Sequence, residues 1–241
     1  MCTLSSCLRH DAASIWAHLL PVLDQVMELN QFVDTIHFLS DSPSSQYRNK
    51  YMFYIISQLS SHHSSITRIT WNYSEAGHGK SAPDGIGATV KRLADQWVHF
   101  GSDVGNFEQF YKIMESRLEN VIIKKVSEEE IIQREKLIPE QLKPFKGTLS
   151  VHQVLWDLFT PKITMRNMSC FLCDVGEICN HGKHLGYIIN SNYAVNQNTI
   201  TDVTSCNIVP LAKTKRKFTN QNKIKLISDI LIDDTNKTTH Q

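Results

Sequence analysis

"SITRITWNYSEAGHGKSAPDGIGATVKR", residues 65–92, decides the fold. Its first part, "SITRITWNY", alternates and reads as a β-strand. A loop rich in Gly, Ser and Pro follows. A helix then begins, with Ile86, Val90, Leu93, Ala94 and Trp97 on one face. Upstream, residues 12–29 carry Ile15, Leu19, Val22, Leu23, Val26 and Met27 at helical spacing, with Asp11 as N-cap and Pro21 as a source of a kink. "VDTIHFL", 33–39, is a β-rich run that ends in the turn chemistry of "SDSPSS". Residues 46–59 read as a helix with Tyr47, Tyr51, Met52, Ile55 and Leu59 inward. Helix, strand, helix, strand, helix is an α/β order, and it implies that the two strands pair in parallel.

Downstream the signals are shorter. "FEQFYKIMESRL" predicts a helix and "NVIIKKV" a strand. Ser127 three residues before Glu130 predicts a capping box at the start of a further helix. "GTLSVHQVLWDLF", 147–159, reads as a strand. From about Lys213 the chain turns basic and polar, which predicts a loosely ordered tail with a short amphipathic helix over 223–232.

Gly79-Lys80-Ser81 is the end of a phosphate-binding loop, placed between a strand and a helix as that loop requires. The loop's first glycine would fall at position 74, where the chain has Ser74. That glycine lets the backbone bend round the phosphates. Asp84 would moreover set a negative charge against the anion. Nucleotide binding through Lys80 is therefore the weakest of the functional readings.

A different reading starts from the acids. Asp41 lies just past the end of one strand, and Asp84 lies in the loop-to-helix segment after the next. Parallel α/β sheets gather functional groups at the carboxyl ends of their strands, so both aspartates are expected at one rim. Two such carboxylates are hard oxygen ligands suited to Mg²⁺ or Mn²⁺, the ions that drive phosphodiester chemistry. His78 and Lys80 are candidate supporting groups for a phosphate backbone. Each residue also has an ordinary role open to it. Asp84 suits a helix start beside a Ser81 cap, Asp41 suits an Asx turn, and His78 and Lys80 suit a solvated loop.

Four stretches, "LRHDAASIWAHLLPVL", "IHFLSDSPSSQYRNKYMF", "WNYSEAGHGKSAPDGIGATVKRLAD" and "SCFLCDVGEIC", together resemble a family of animal proteins of transposase-derived, ribonuclease-H-like type. The resemblance runs from about residue 2 to about residue 185. It implies strands four and five of that core, with Asp41 and Asp84 as the second and third acids of a metal-dependent DNA strand-transfer centre. The family's first acid belongs to a "DFSENY"-like segment that this chain lacks, and Ser42 stands where the family is expected to have Gly. The resemblance thus implies an N-terminally truncated core that is catalytically inactive, with an open edge on its first remaining strand that invites self-association. The expected fold class is α/β. A partial ribonuclease-H-like core would span 1–125, a small α+β region with a zinc module 126–190, and an irregular segment with a basic tail 191–241.

Cys170, Cys173 and Cys179, with His181 or His184 as fourth member, make a compact Cys₃His set suited to tetrahedral zinc, with Cys206 in reserve. The alternative is a group of small buried hydrophobes beside a solvated histidine. Cys2 and Cys7 are expected to be core or free thiols. "KTKRK", 213–217, is a candidate nuclear or nucleic-acid patch, or only a solvated terminus. Trp71, Tyr73 and Trp97 could stack on bases, but their spacing favours packing in a core.

Composition bounds the rest. Apolar residues make up 41% of the 241 and charged residues 20%, a globular balance. A net charge of +1 gives no global pull toward nucleic acid, so DNA contact must come from local groups. The chain has no run of 18 apolar residues, and "MCTLSSCLRHD" lacks the apolar centre of a signal peptide. An intracellular, non-membrane protein is expected, with the nucleus a candidate location and the cysteines as thiols or metal ligands. A second functional class therefore stands beside the transposase remnant: a non-enzymatic nuclear DNA- or protein-binding protein built on the zinc module and basic tail.

Overall fold

The computed structural model describes residues 1–75, 82–101, 103–173, 179–189 and 225–227. His78, Lys80, Cys206 and the basic run 213–217 lie outside the described residues.

The chain opens with β1 (Cys2–Leu4) and α1 (Ala12–Leu29), followed by β2 (Thr35–Ser40), α2 (Lys50–Gln58) and β3 (Arg68–Tyr73). Two helices come next, α3 (Ala82–His99) and α4 (Phe107–Arg117), then β4 (Ile123–Lys125) and α5 (Glu128–Glu135). A run of strands completes the described chain: β5 (Gln153–Asp157), β6 (Lys162–Arg166), β7 (His184–Ile189) and β8 (Lys225–Ile227). The main sheet has the order β7-β6-β5-β3-β2-β8, and β1 pairs β4 in a small parallel sheet.

β2 and β3 pair in parallel, Thr35 opposite Arg68 through Ser40 opposite Tyr73, as the helix between them requires. β5, β6 and β7 extend the sheet by antiparallel pairing. Strands from both sides of residue 125 therefore share one sheet. Its core draws on Ile36, Phe38 and Trp71 as well as Val154, Trp156 and Met165, so 1–125 and 126–190 do not enclose separate cores.

α1 and α2 cover one face of the sheet. Asp11 accepts the Ser14 amide at 2.9 Å and fixes the start of α1, which runs through Pro21 to Leu29. Asn49 starts α2 by accepting the amides of Tyr51 and Met52. The helix therefore begins later than its hydrophobic pattern suggests, and its inward face differs. Tyr51 is exposed, while Phe53 and Ile56 join Met52, Ile55 and Leu59 in the core. Alternation along β2 and β3 sends Ile36, Phe38, Ile69, Trp71 and Tyr73 to this side, with Phe38 stacked on Trp71 at 4.7 Å. Trp71 and Tyr73 are thus core residues; the Trp71 indole N–H donates to Ser40 Oγ and the Tyr73 hydroxyl to the Tyr47 carbonyl. Truncating a fully buried residue such as Phe38 or Leu23 costs about 3–5 kcal/mol.

A second apolar cluster holds α3. Val90 is buried, and Ile86, Leu93, Ala94 and Trp97 pack with Leu4, Ile113 and Met114, the helical face expected from the sequence. α5 starts with the expected capping box, Ser127 and Glu130 exchanging bonds at 2.7 and 3.2 Å.

Three expectations are corrected. Residues 147–159 are not one strand: Gly147, at φ 92°, turns the chain into the 3₁₀ turn Thr148–Ser150, and only Gln153–Asp157 is extended. No amphipathic helix covers 223–232 in the described part, because Lys225–Ile227 is a strand beside His37–Leu39. The outer backbone of β2 supplies hydrogen-bond partners that an isolated short helix would lack. The edge of β2 expected to stand open therefore carries β8 along these three positions.

Candidate metal centre

Side chains of the main sheet that point away from α1 and α2 include an unusual number of polar groups. They form a chain of hydrogen bonds across four strands. His37 on β2 meets Thr70 on β3 at 2.7 Å, and Asn72 Nδ2 donates to Thr70 Oγ1 at 3.0 Å and to the Phe38 carbonyl at 2.9 Å. Gln153 on β5, fully buried, donates through Nε2 to Asn72 Oδ1 at 2.9 Å. From β6, Arg166 Nη1 reaches Gln153 Oε1 at 3.4 Å. Such a network is stable in a sheet interior only when its members are paired.

The purpose of the chain shows at its end. Gln153 clamps the backbone of Cys170 from both sides: Nε2 donates to the Cys170 carbonyl at 2.9 Å, and Oε1 accepts the Cys170 amide at 3.2 Å. Ser169 Oγ donates to the His152 carbonyl, and the Phe171 ring meets His37 edge-on at 5.5 Å. The Cys170–Cys173 turn is thus docked onto the sheet before any ligand is considered.

Four side chains converge there. Around His181 Nδ1, Cys173 Sγ lies at 3.3 Å, Cys170 Sγ at 3.5 Å and Cys179 Sγ at 3.9 Å. All four donor atoms lie within 4.8 Å of one another. A tetrahedral zinc with bonds of ~2.0 and ~2.3 Å sets its ligands about 3.6 Å apart for sulfur–nitrogen and about 3.8 Å for sulfur–sulfur. His181 is the fourth member. His184, the other histidine considered, opens β7 opposite Arg166 and takes no part in the cluster.

The protonation chemistry suits a cation. Burial acts to raise the Cys170 thiol, but the amides of Leu172 and Cys173 and bonds from Cys179 and Cys173 outweigh it and bring the group to about 6. Burial and then the sulfurs of Cys170 and Cys179 push Cys173 up to about 11. Three crowded sulfurs resist ionising together unless a positive ion sits among them. Amides at the second and third positions past Cys170, aimed at its sulfur, stabilise thiolate and fix the turn. The Cys₃His cluster can hold a metal ion such as zinc.

The second predicted site is at the carboxyl rim of β2 and β3. Ser40 and Tyr73 are the last paired residues of those strands, and the Ser74 amide donates to the Ser40 carbonyl at 2.8 Å. Asp41 follows at once. Asp84 lies in the first turn of α3. Asp41 is held above its ordinary value, first by burial and then by the negative charge of Asp84. Arg48 adds a cation on the same side. Its guanidinium lies 5.2 Å from the centre of the Tyr73 ring and donates to the Leu149 carbonyl at 2.7 Å.

Sequence reading missed Gln153 and Asn72, the residues that seat the cluster. The available signal was an amide side chain opening the apolar run "QVLW", where a buried polar group needs partners.

Residues 1–169 match the family model described as Domain of unknown function (DUF8701), and the chain belongs to that family. The match takes in Asp41 and Asp84 and stops one residue before Cys170. No curated protein and no solved structure matches the chain.

Proposed function

We propose that this member of the DUF8701 family is a ribonuclease-H-like module of transposase descent that binds a divalent ion and a polynucleotide without cutting it. The parallel pairing of β2 and β3 supports this reading: their carboxyl ends lie side by side, Asp41 directly follows β2, and Asp84 is in the first turn of the helix after β3. The influence of the Asp84 charge on Asp41, second to burial, supports it. Asp41 and Asp84 would hold Mg²⁺ or Mn²⁺, which supplies positive charge against phosphate oxygens. Arg48 places a positive charge over the Tyr73 ring at the end of β3. Two carboxylates suffice to retain one ion. Clamping both the attacking and the leaving oxygen takes a pair of ions and more ligands, so binding without cleavage is the expected behaviour.

In the same reading the Cys₃His cluster holds structural zinc. All four positions are protein ligands, which closes the site to substrate. Zinc there ties the 170–181 segment to the sheet through Gln153. A nuclear DNA- or protein-binding protein without ancestral catalysis is the second reading. The closed zinc cluster favours it over any nucleotide-binding role.

The deciding experiment follows fluorescence anisotropy of labelled DNA with Mn²⁺ or with chelator, alongside nicking of supercoiled plasmid. Wild-type protein is expected to bind DNA more tightly with Mn²⁺, to lose that gain in Asp41→Asn, and to leave the plasmid intact. Binding indifferent to both Mn²⁺ and Asp41→Asn removes the rim from the function. Nicking that disappears in Asp41→Asn shows instead that the chain is an active nuclease.

A further inference from the structure

On the other side of the molecule, three side chains meet that belong to neither site above. Asp24 lies on α1, directly after Leu23, which is fully buried. His62 follows the 3₁₀ turn Leu59–Ser61, and its amide donates to the Leu59 carbonyl at 3.2 Å. His63 begins the connection to β3, and its carbonyl accepts the Ile66 amide at 3.1 Å. Leu59 and Ile66 are both fully buried, so each partner of Asp24 hangs from backbone anchored in the core.

The convergence is specific. His62 Nε2 lies 2.8 Å and His63 Nε2 2.9 Å from the same atom, Asp24 Oδ1. The two rings stand edge-to-face with centres 4.7 Å apart. The two ring nitrogens contact this oxygen at hydrogen-bonding distance, so all three donors already face one point. All three donor atoms lie within 4.8 Å of one another.

We propose that Asp24, His62 and His63 form a second metal site, for a divalent transition ion of the zinc class, with one coordination position open to solvent. Two imidazoles and one carboxylate are the donor set that Zn²⁺, Co²⁺ and Ni²⁺ prefer and that Mg²⁺ and Ca²⁺ do not. A tetrahedral ion with bonds of about 2.0–2.1 Å sets nitrogen and oxygen ligands roughly 3.3 Å apart. The observed separations need to open by only about 0.5 Å, within the reach of side-chain torsions. Three protein ligands leave the fourth position to water or to an exogenous donor, the arrangement of a reactive rather than a closed zinc site. The ion also joins α1 to the α2–β3 connection, two parts of the chain 38 residues apart.

The site is tested on the full chain loaded with zinc at the cysteine cluster. Imidazole nitrogens are followed by long-range ¹H–¹⁵N spectra as further Zn²⁺ is added. The Nε2 signals of His62 and His63 are expected to shift together, and Asp24→Asn to weaken the apparent affinity by at least about tenfold. Co²⁺ in place of the added Zn²⁺ is expected to give visible bands without a near-ultraviolet thiolate band, which separates this site from the cysteine cluster. Asp24→Asn and His63→Gln alter side chains that are partly solvent-exposed, and circular dichroism confirms that each variant is folded. Signals of His62 and His63 that stay in place as Zn²⁺ is added overturn the proposal. So does a shift of equal affinity in wild type and Asp24→Asn. Neither result bears on the rim of Asp41 and Asp84.

Discussion

The cysteine cluster and the aspartate rim are built on opposite plans. Cys170, Cys173, Cys179 and His181 span a dozen residues of sequence, so their spacing alone proposes the site. Asp41 and Asp84 belong to separate crossover units, one directly after β2 and the other in the first turn of α3, and their spacing in sequence does not by itself propose a site. The first site is local in sequence but depends on the sheet for its seat, through Gln153. The second depends on elements distant in sequence, and burial and then the Asp84 charge raise the value of its Asp41. Soft donors close in sequence suit a transition ion, whereas carboxylates from separate units suit a hard one, and Asp41 bears the cost of burial and of a neighbouring negative charge.

The largest effect is expected at the cluster. Cys170→Ser should reduce bound zinc from about one equivalent to a small fraction and lower Tm by roughly 10 °C. Elemental analysis and differential scanning calorimetry read the two quantities. Zinc content equal to wild type would break the contrast, since the four side chains would then not be acting as a ligand set.

A smaller effect on zinc binding, with a similar loss of stability, sharpens it. Gln153→Leu leaves the Asn72 amide oxygen and both backbone groups of Cys170 without their partner. Each buried group so orphaned costs about 1–3 kcal/mol, and a total near 3 kcal/mol should lower Tm by roughly 6–12 °C. Zinc affinity should fall by about 10–100-fold, the usual cost of losing a group that orients ligands. Chelator competition measures it. Unchanged affinity would mean that the 170–181 segment forms its site without the sheet.

The same contrast explains what could be read beforehand. α1, α3 and α5 announce themselves through caps and apolar spacing, β2 through a β-rich run that ends in turn residues, and β3 through alternation. β6 and β7 gave no comparable signal. "KITMR" is five residues with charge at both ends, and "HLGYII" is interrupted by Gly186. That glycine takes φ 138° where the Phe145 ring would crowd a Cβ at 3.3 Å, a long-range requirement invisible in its neighbours. β8 was expected as helix because its pattern suits either state, and the edge of β2 is what selects strand. Among the sites, the cysteines were legible from spacing, and the choice of His181 over His184 was not. The group of Asp24, His62 and His63 was hidden because one member lies on α1 and the others beyond α2.

The smallest effect tests the strain of the rim. Asp41 takes up its proton more readily in the folded state than in the unfolded chain, where its ordinary value is 3.8. Its ionised form therefore costs stability at neutral pH. That cost is relieved as pH falls through the folded value, and it is absent below the unfolded one. Asp41→Asn should accordingly raise the urea midpoint slightly at pH 7, with the gain closing as pH approaches 4. Added Mg²⁺ should erase the same difference from the other side, by stabilising wild type and leaving the variant unmoved. If Asp41→Asn lowers the midpoint at pH 7, the carboxylate is contributing stability rather than costing it. The rim would then be an ordinary turn after β2, and its likeness to the cysteine cluster as a place for an ion would end there.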